Sequence, residues 1–350
     1  MSQTVVEAAE PRSFRALREY LVNGLGLLLV ALVLGFLLYK AFTTPGRFFD
    51  AFVDGLNKGS LYALIALGYT LVYGIIELIN FSHGDLFMLS TVVASALVVT
   101  LFGATSASVG AVLLLLVGLL LVMTAAATLN VAAERLAYRR LRRAPKLAPL
   151  ITAVGLSFVY QWGGLRSNGS GQRVWPSIFK NSGFTVGGVH IEWSTVIVIG
   201  VTIPLLLLMM WVVQNTRQGK AMRATAQDQD AARLMGIDVD RTIAFTFGLG
   251  GAMAGAAGVL WIESIGSTRW DAGFRLGLYA FTAAVLGGIG RLDGAVLGGF
   301  LIGIVESVNA SGILPFGGQA WSQTVVFGIL ILLMVFKPEG ILGSPTTEKV

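Results

Sequence analysis

The chain has 350 residues, 55% of them hydrophobic and only 13% charged, with a mean hydropathy of +0.76 and a formal net charge of +6. These values lie outside the profile of a soluble domain and imply an integral membrane protein, in which a basic excess reports topology rather than nucleic-acid binding. Cysteine is absent and the only histidines are His83 and His190, which excludes disulfides and thiolate chemistry and leaves a His-based metal centre short of ligands.

Residues 1–20 carry Arg12, Arg15 and Arg18 ahead of the apolar run Leu21 to Tyr39, the order of a signal peptide. The run is longer than an ordinary signal core, and "KAFTTPGRFFDAF" after it offers no convincing small-x-small cleavage site, so a retained first helix is expected. Further spans are expected near 52–76, 86–102, 108–129, 147–164, 191–213, 242–262, 276–290, 294–310 and 322–336, each close to the length that crosses a hydrocarbon layer of about 30 Å. The fold class that follows is an all-α polytopic membrane helix bundle of about ten segments. Eight to ten is the working range, because short or glycine-rich stretches such as 276–290 also read as re-entrant or broken elements. The expected organisation is a tail plus extra helix over 1–50, a transmembrane domain over 51–340 with a cytoplasmic loop at 214–241, and a tail over 341–350.

Lysine and arginine set the orientation. With the N-terminus inside, the segments 1–20, 130–147, 214–241, Arg291 and the C-terminal tail hold 17 of the 25 basic residues, so both termini are expected in the cytoplasm.

The stretch "INFSHGDLFML", 79–89, places Asn80, Ser82, His83 and Asp85 between two long apolar runs, with Phe81 and Gly84 among them. One reading is a short cytoplasmic turn of ordinary polar residues. The other is a helix broken inside the membrane, lining or gating a translocation path, where an ionisable group costs about 2.5 to 3.5 kcal/mol unless it finds a partner or a wet cavity. Neither makes a catalytic triad.

In "QNTRQGKAMRATAQDQDAARLMGIDVDRT", 214–242, Ala221 to Met235 reads as one alanine-rich helix with Gly236 as its stop. It is too polar to span, and it suits docking in a partner's groove as well as lying on lipid headgroups. The pairs Gly251/Gly255, Gly294/Gly298 and Gly299/Gly303 have the spacing of close helix contacts, for which ordinary packing is the simpler explanation. Among the acids, Glu77 and Glu263 sit at segment ends, and Glu306 alone lies clearly within a span. No G-x-x-x-x-G-K-[ST] string occurs.

Asp230, Ala231, Ala232 and Gly236 form D-A-A-x-x-x-G, which resembles the "EAA...G" loop of ABC importer permeases with Asp where Glu is usual. The strings at 219–260, "GSLYALIALGYTLVYGIIELINFSHGD" (59–85), "ERLAYRRLR" (134–142), "FTAAVLGGIGRLDGAVLGGFLIGIVES" (281–307) and "KPEGILG" (337–343) are similar, more narrowly, to the LivH-type permeases of branched-chain amino-acid ABC importers. The likeness runs in order from about residue 52 to the end; 1–50 is an addition and 165–190 departs from the pattern.

That resemblance implies a second, paralogous permease subunit, two ABC ATPase subunits and an extracytoplasmic substrate-binding protein in a prokaryotic cytoplasmic membrane. It implies import of branched-chain or related small amphipathic amino acids, no catalysis and no cofactor in this chain, and ATP used by the partners. The coupling helix would hold Arg223, Ala224, Asp230, Ala231, Ala232 and Gly236, and Asn80 to Asp85 would be the signature turn of the path. The competing expectation is an ion-gradient-driven secondary transporter that relies on a membrane acid such as Glu306.

Overall fold

The fold is that of a computed structural model, which describes residues 35–78, 80–97, 109–142, 144–145, 147–175, 179, 182–314 and 317–343. The chain divides into two units, Met1–Phe49 and Asp50–Val350. In the first, residues 35–43 form α1, where the Lys40 ammonium lies over the Phe36 ring. The expected span at 21–39 falls mostly outside the described residues.

The remaining helices are α2 (Pro45–Ile76), α3 (Ser82–Ala96), α4 (Val109–Ala133), α5 (Leu147–Asn168), α6 (Trp193–Asn215), α7 (Arg217–Gln227), α8 (Gln229–Leu234), α9 (Val239–Ile265), α10 (Ala272–Gly287), α11 (Leu292–Ala310) and α12 (Ser322–Phe336). Among the described residues six helices are long and apolar enough to cross a membrane: Pro45–Ile76, Val112–Leu141, Trp193–Asn215, Val239–Ile265, Leu292–Ala310 and Gln319–Phe336. Two antiparallel ribbons accompany them, β1 (Arg173–Val174) with β4 (Ser267–Thr268), and β2 (Gly183–Val186) with β3 (Val189–Glu192). The stretch that departs from the sequence pattern, 165–190, thus contributes β1, β2 and the start of β3.

Helix position follows from residue pattern. Helix α4 buries Leu115, Leu119, Val122 and Ala126 and exposes Leu113, Leu116, Leu120 and Leu121, an arrangement with a helical period and an apolar outer face suited to lipid. Helix α2 from Gly59 to Val72 and most of α9 are buried all round. Close approach there depends on glycine. A Cβ on Gly251 would lie 2.6 Å from the Ala126 carbonyl of α4, and one on Gly258 would lie 2.7 Å from Ser90 of α3. Gly299 and Gly303 meet Ala63 and Gly59 of α2, while Gly294 and Gly298 meet Gly287 and Ala283 of α10. The three glycine pairs therefore serve packing within this chain, and α11 uses two faces of them at once.

Candidate functional site

The break between α2 and α3 is a local backbone event. Helix α2 ends at Ile76, and Glu77 takes φ 50°, the one non-glycine residue with positive φ among those described. That conformation costs an L-residue about 1–2 kcal/mol and turns the chain back on itself. Helix α3 then begins at Ser82, buried from its first residue. The His83 imidazole occupies the space where Gly68 lacks a side chain, and Gly68 in turn touches Gly250, near the middle of the 27-residue α9. At 1.5 Å per residue α9 is about 40 Å long. The motif consequently opens a helix deep in the bundle instead of turning at its surface.

Its polar groups are held by other helices. The Asn80 Oδ1 accepts from the Tyr138 hydroxyl at 2.7 Å and from Ser82 Oγ at 2.5 Å. Ser157 of α5 donates to Asp85, as does Gln161 Nε2 at 3.2 and 3.3 Å. His83 packs edge-on to Tyr69 with ring centroids 4.8 Å apart, and the Ile65 carbonyl faces it without reaching full hydrogen-bond geometry. Gly84 and Gly273 meet backbone to backbone, where the start of α10 lies against the start of α3. Asn80, Ser82, His83 and Asp85 are all buried, whereas Phe81 is half-buried and stacks on Phe281 at 5.7 Å. The Asn80 carbonyl oxygen, Ser82 and Asp85 are satisfied in this way, whereas the Asn80 amide nitrogen and both His83 ring nitrogens are buried without a hydrogen-bond partner among the described residues.

Tyr138 was invisible as a partner in the sequence because it lies in a π-helical turn, Glu134–Tyr138, that follows α4 and rotates the side chain inward. The same turn buries Glu134, to which Arg142 donates; Arg142 also donates to Asp240 at 2.7 Å, and Arg139 pairs with Asp240 at 2.7 Å. This clamp ties the end of α4 to the first turn of α9. Beside it an open pocket of about 560 Å³ is lined by Tyr73, Glu77, Leu78, Arg142, Leu150 and Gln229, joining the α2–α3 break to the start of α8.

The loop expected to hold one helix over 221–235 holds two, α7 and α8. The chain breaks at Asp228, whose extended backbone (φ −158°) ends α7 and whose Oδ1 accepts from the backbone N–H of Asp230 at 2.8 Å and of Ala231 at 3.0 Å, capping α8. Asp at this position prefers capping to helix interior, which alanine counting overlooked. Gly236 is the expected stop: at φ 81° it lets the Ile237 N–H reach the Ala232 carbonyl, a Schellman closure. Arg223 donates to the carbonyls of Val213 and Gln214 at the end of α6, Met222 and Ala232 are buried, and Ala224 packs on the core. Asp230 is exposed and pairs with Arg233 at 2.6 Å, and Ala231 is exposed. Leu234 and Met235 stand 89% and 82% exposed at the end of this anchored platform.

Glu306 sits at the other end of the molecule. It accepts from the Tyr62 hydroxyl at 2.6 Å and lies 3.9 Å from Lys58, which pairs with Asp54 at 3.1 Å; Asp54 accepts from Ser307 at 2.7 Å. Glu263 accepts from the Trp175 indole N–H at 2.9 Å, tying the 165–190 stretch to α9. Both buried acids are thus hydrogen-bonded within the bundle. Among the described residues no group of acids and histidines is placed to hold a metal ion.

A family model described as "Branched-chain amino acid transport system / permease component" matches residues 51–335. The chain is 38% identical over 309 residues to the high-affinity branched-chain amino acid transport system permease protein BraD of Pseudomonas aeruginosa, covering 87% of this chain and 98% of that one. It is 38% identical over 308 residues to the protein LivH of Escherichia coli, described in the same terms, with the same coverage. A probable branched-chain amino acid transport permease protein LivH of Methanocaldococcus jannaschii is 29% identical over 81% of this chain and 89% of its own. With its membrane-spanning helices and a match over most of its length, the chain belongs to the family of permease components of branched-chain amino acid transport systems.

Proposed function

We propose that this chain is the transmembrane permease subunit of an ABC importer in a prokaryotic cytoplasmic membrane, forming with a second, paralogous permease the path for branched-chain or related small amphipathic amino acids. Two ATPase subunits bind and use the ATP, an extracytoplasmic binding protein delivers the solute, and this chain carries out no catalysis and holds no cofactor. The observation that carries the reading is the α7–α8 platform, where two large apolar side chains, Leu234 and Met235, stand exposed on an otherwise polar surface that is anchored beneath by Met222, Ala232 and Arg223. A rigid mount with an unburied apolar tip suits a partner's groove. Motion imposed on it reaches Gln229 and Arg142 at the inner pocket, next to the break that precedes α3. Asn80 to Asp85 then act as a fixed point in the path, about which α3 and α10 are set.

The test replaces Leu234 and Met235 together by serine in the tagged full-length chain. Losing burial of both removes about 3 kcal/mol or more of docking energy, a weakening of roughly a hundredfold. Membrane insertion should be unchanged, while co-purification of a P-loop ATPase and uptake of radiolabelled leucine fall together. Undiminished ATPase recovery overturns docking at this platform. Leucine uptake by the chain alone, abolished by an uncoupler, would instead favour the ion-driven carrier and make Glu306 the residue to examine.

A further inference from the structure

At the end of the bundle away from the α7–α8 platform, an open pocket of about 510 Å³ lies where the end of α9, the β1–β4 ribbon and the start of α10 converge. Its volume is in the range of small-molecule sites, about 300–1,000 Å³. One wall is apolar, made by Trp261, Ala272 and Leu276. Trp261 packs edge-on against Phe87 at 5.8 Å and tilts on Tyr62 at 6.4 Å, so an aromatic layer separates the pocket from the interior. The rim is charged. Asp271 pairs with Arg269 through one carboxylate oxygen at 2.7 Å and keeps the other, while Arg275 makes no hydrogen bond or ion pair among the described residues. Arg275 lies within electrostatic range of Glu306, but that carboxylate is already engaged by Tyr62 and Lys58.

A free guanidinium, a carboxylate with a spare oxygen and an indole wall in one cavity complement a small zwitterion with an apolar tail. We propose that this pocket is a low-affinity receiving site for an apolar α-amino acid, in which Arg275 holds the α-carboxylate as a two-pronged donor, Asp271 takes the ammonium, and Trp261 and Leu276 contact the side chain. A simple anion is disfavoured by Asp271, and a simple cation by Arg269 and Arg275. The inference deepens the importer reading by assigning a solute site within the permease itself, at the mouth that would receive solute from outside.

Because the chain is free of cysteine, a single cysteine reports on the pocket directly. Ala272→Cys in the full-length chain, in right-side-out membrane vesicles washed free of soluble binding proteins, is labelled with a membrane-impermeant maleimide; Ser267→Cys reports on the same pocket should Ala272→Cys fail to insert. Leucine should slow labelling by a factor of 1 + [L]/Kd, about tenfold when its concentration is ten times Kd. Leucinamide, 4-methylpentanoate and glutamate should protect weakly, and adding Arg275→Gln should abolish protection by leucine. Cysteine at Phe274, exposed on the same helix, should label at an unchanged rate. No protection by leucine up to about 50 mM, which would reveal a millimolar Kd, overturns the proposal; so does equal protection with Arg275→Gln, or by glutamate. Loss of ATPase co-purification, by contrast, bears on the importer reading alone.

Discussion

Asn80 is the acceptor on which the α2–α3 break is closed, and the energetics of replacing it can be worked out from its partners. Tyr138→Phe removes one donor, and Asn80 Oδ1 keeps the other, Ser82 Oγ at 2.5 Å. The expected cost is that of one buried hydrogen bond, about 1 kcal/mol, within the measured membrane values that average about 0.6 and reach about 1.7 kcal/mol. Asn80→Ala removes the acceptor and strands two buried hydroxyls, which lie 3.5 Å apart and satisfy each other only in part. At about 1–3 kcal/mol for each stranded group, the expected cost is about 2–4 kcal/mol. Tyr138→Phe made in the Asn80→Ala background then deletes one of the stranded hydroxyls and should restore about 1 kcal/mol. The sign of the Tyr138→Phe effect therefore reverses between backgrounds, giving a coupling energy of about 2 kcal/mol. Reversible unfolding of the purified chain in mixed micelles, followed through its seven tryptophans, measures all four corners of the cycle. Additive effects, with Tyr138→Phe equally costly in both backgrounds, would refute the arrangement.

Arg142→Gln leaves the buried Glu134 without its charged partner and should destabilise the solubilised chain by about 3–5 kcal/mol, with much of that restored by adding Glu134→Gln; a thermal aggregation midpoint unmoved by Arg142→Gln would count against the clamp. Gly303→Leu forces α11 away from α2, because even a Cβ there would overlap the Gly59 backbone and lie 2.6 Å from the Gly55 carbonyl. It should abolish a monodisperse elution profile in detergent, whereas Gly328→Leu, with open space at its Cβ, should elute normally.

The helices were legible because apolar length is a strong signal: the expected spans from 52–76 onward each overlap a helix, but among the described residues only six helices are long and apolar enough to count as crossings, and α3, α5 and α10 are not among them. Asn80 to Asp85 stood out by polarity alone, but its burial did not, since nothing local announces that Glu77 adopts a left-handed backbone. The partners Tyr138, Ser157 and Gln161 lie 58 to 76 residues away and read as ordinary helix residues until packing brings them in. Asp228 was the clearest missed local signal: an Asp with a second acid, Asp230, two positions on and alanines after it has the pattern of an N-cap and first turn, and the single helix expected across it is two. Glu306 was visible as an acid in an apolar span, while its pairing with Lys58 and Tyr62 needed α2 and α11 to be brought together by glycines on both.

The "KPEGILG" string, 337–343, is built into the bundle. The Ile341 and Leu342 N–H groups donate to the Leu286 and Gly287 carbonyls at 2.8 and 3.2 Å, so the tail laces onto the last turn of α10. Helix α10 is about 24 Å long at 1.5 Å per residue, and its other end, Ala272, borders the pocket proposed for solute. A tether fixed to the tail would therefore pull on a helix whose far tip lines that pocket. Anyone fusing a reporter or purification handle to this terminus should leave residues 337–343 intact and insert slack beyond them, or the handle itself becomes a lever on the transporter.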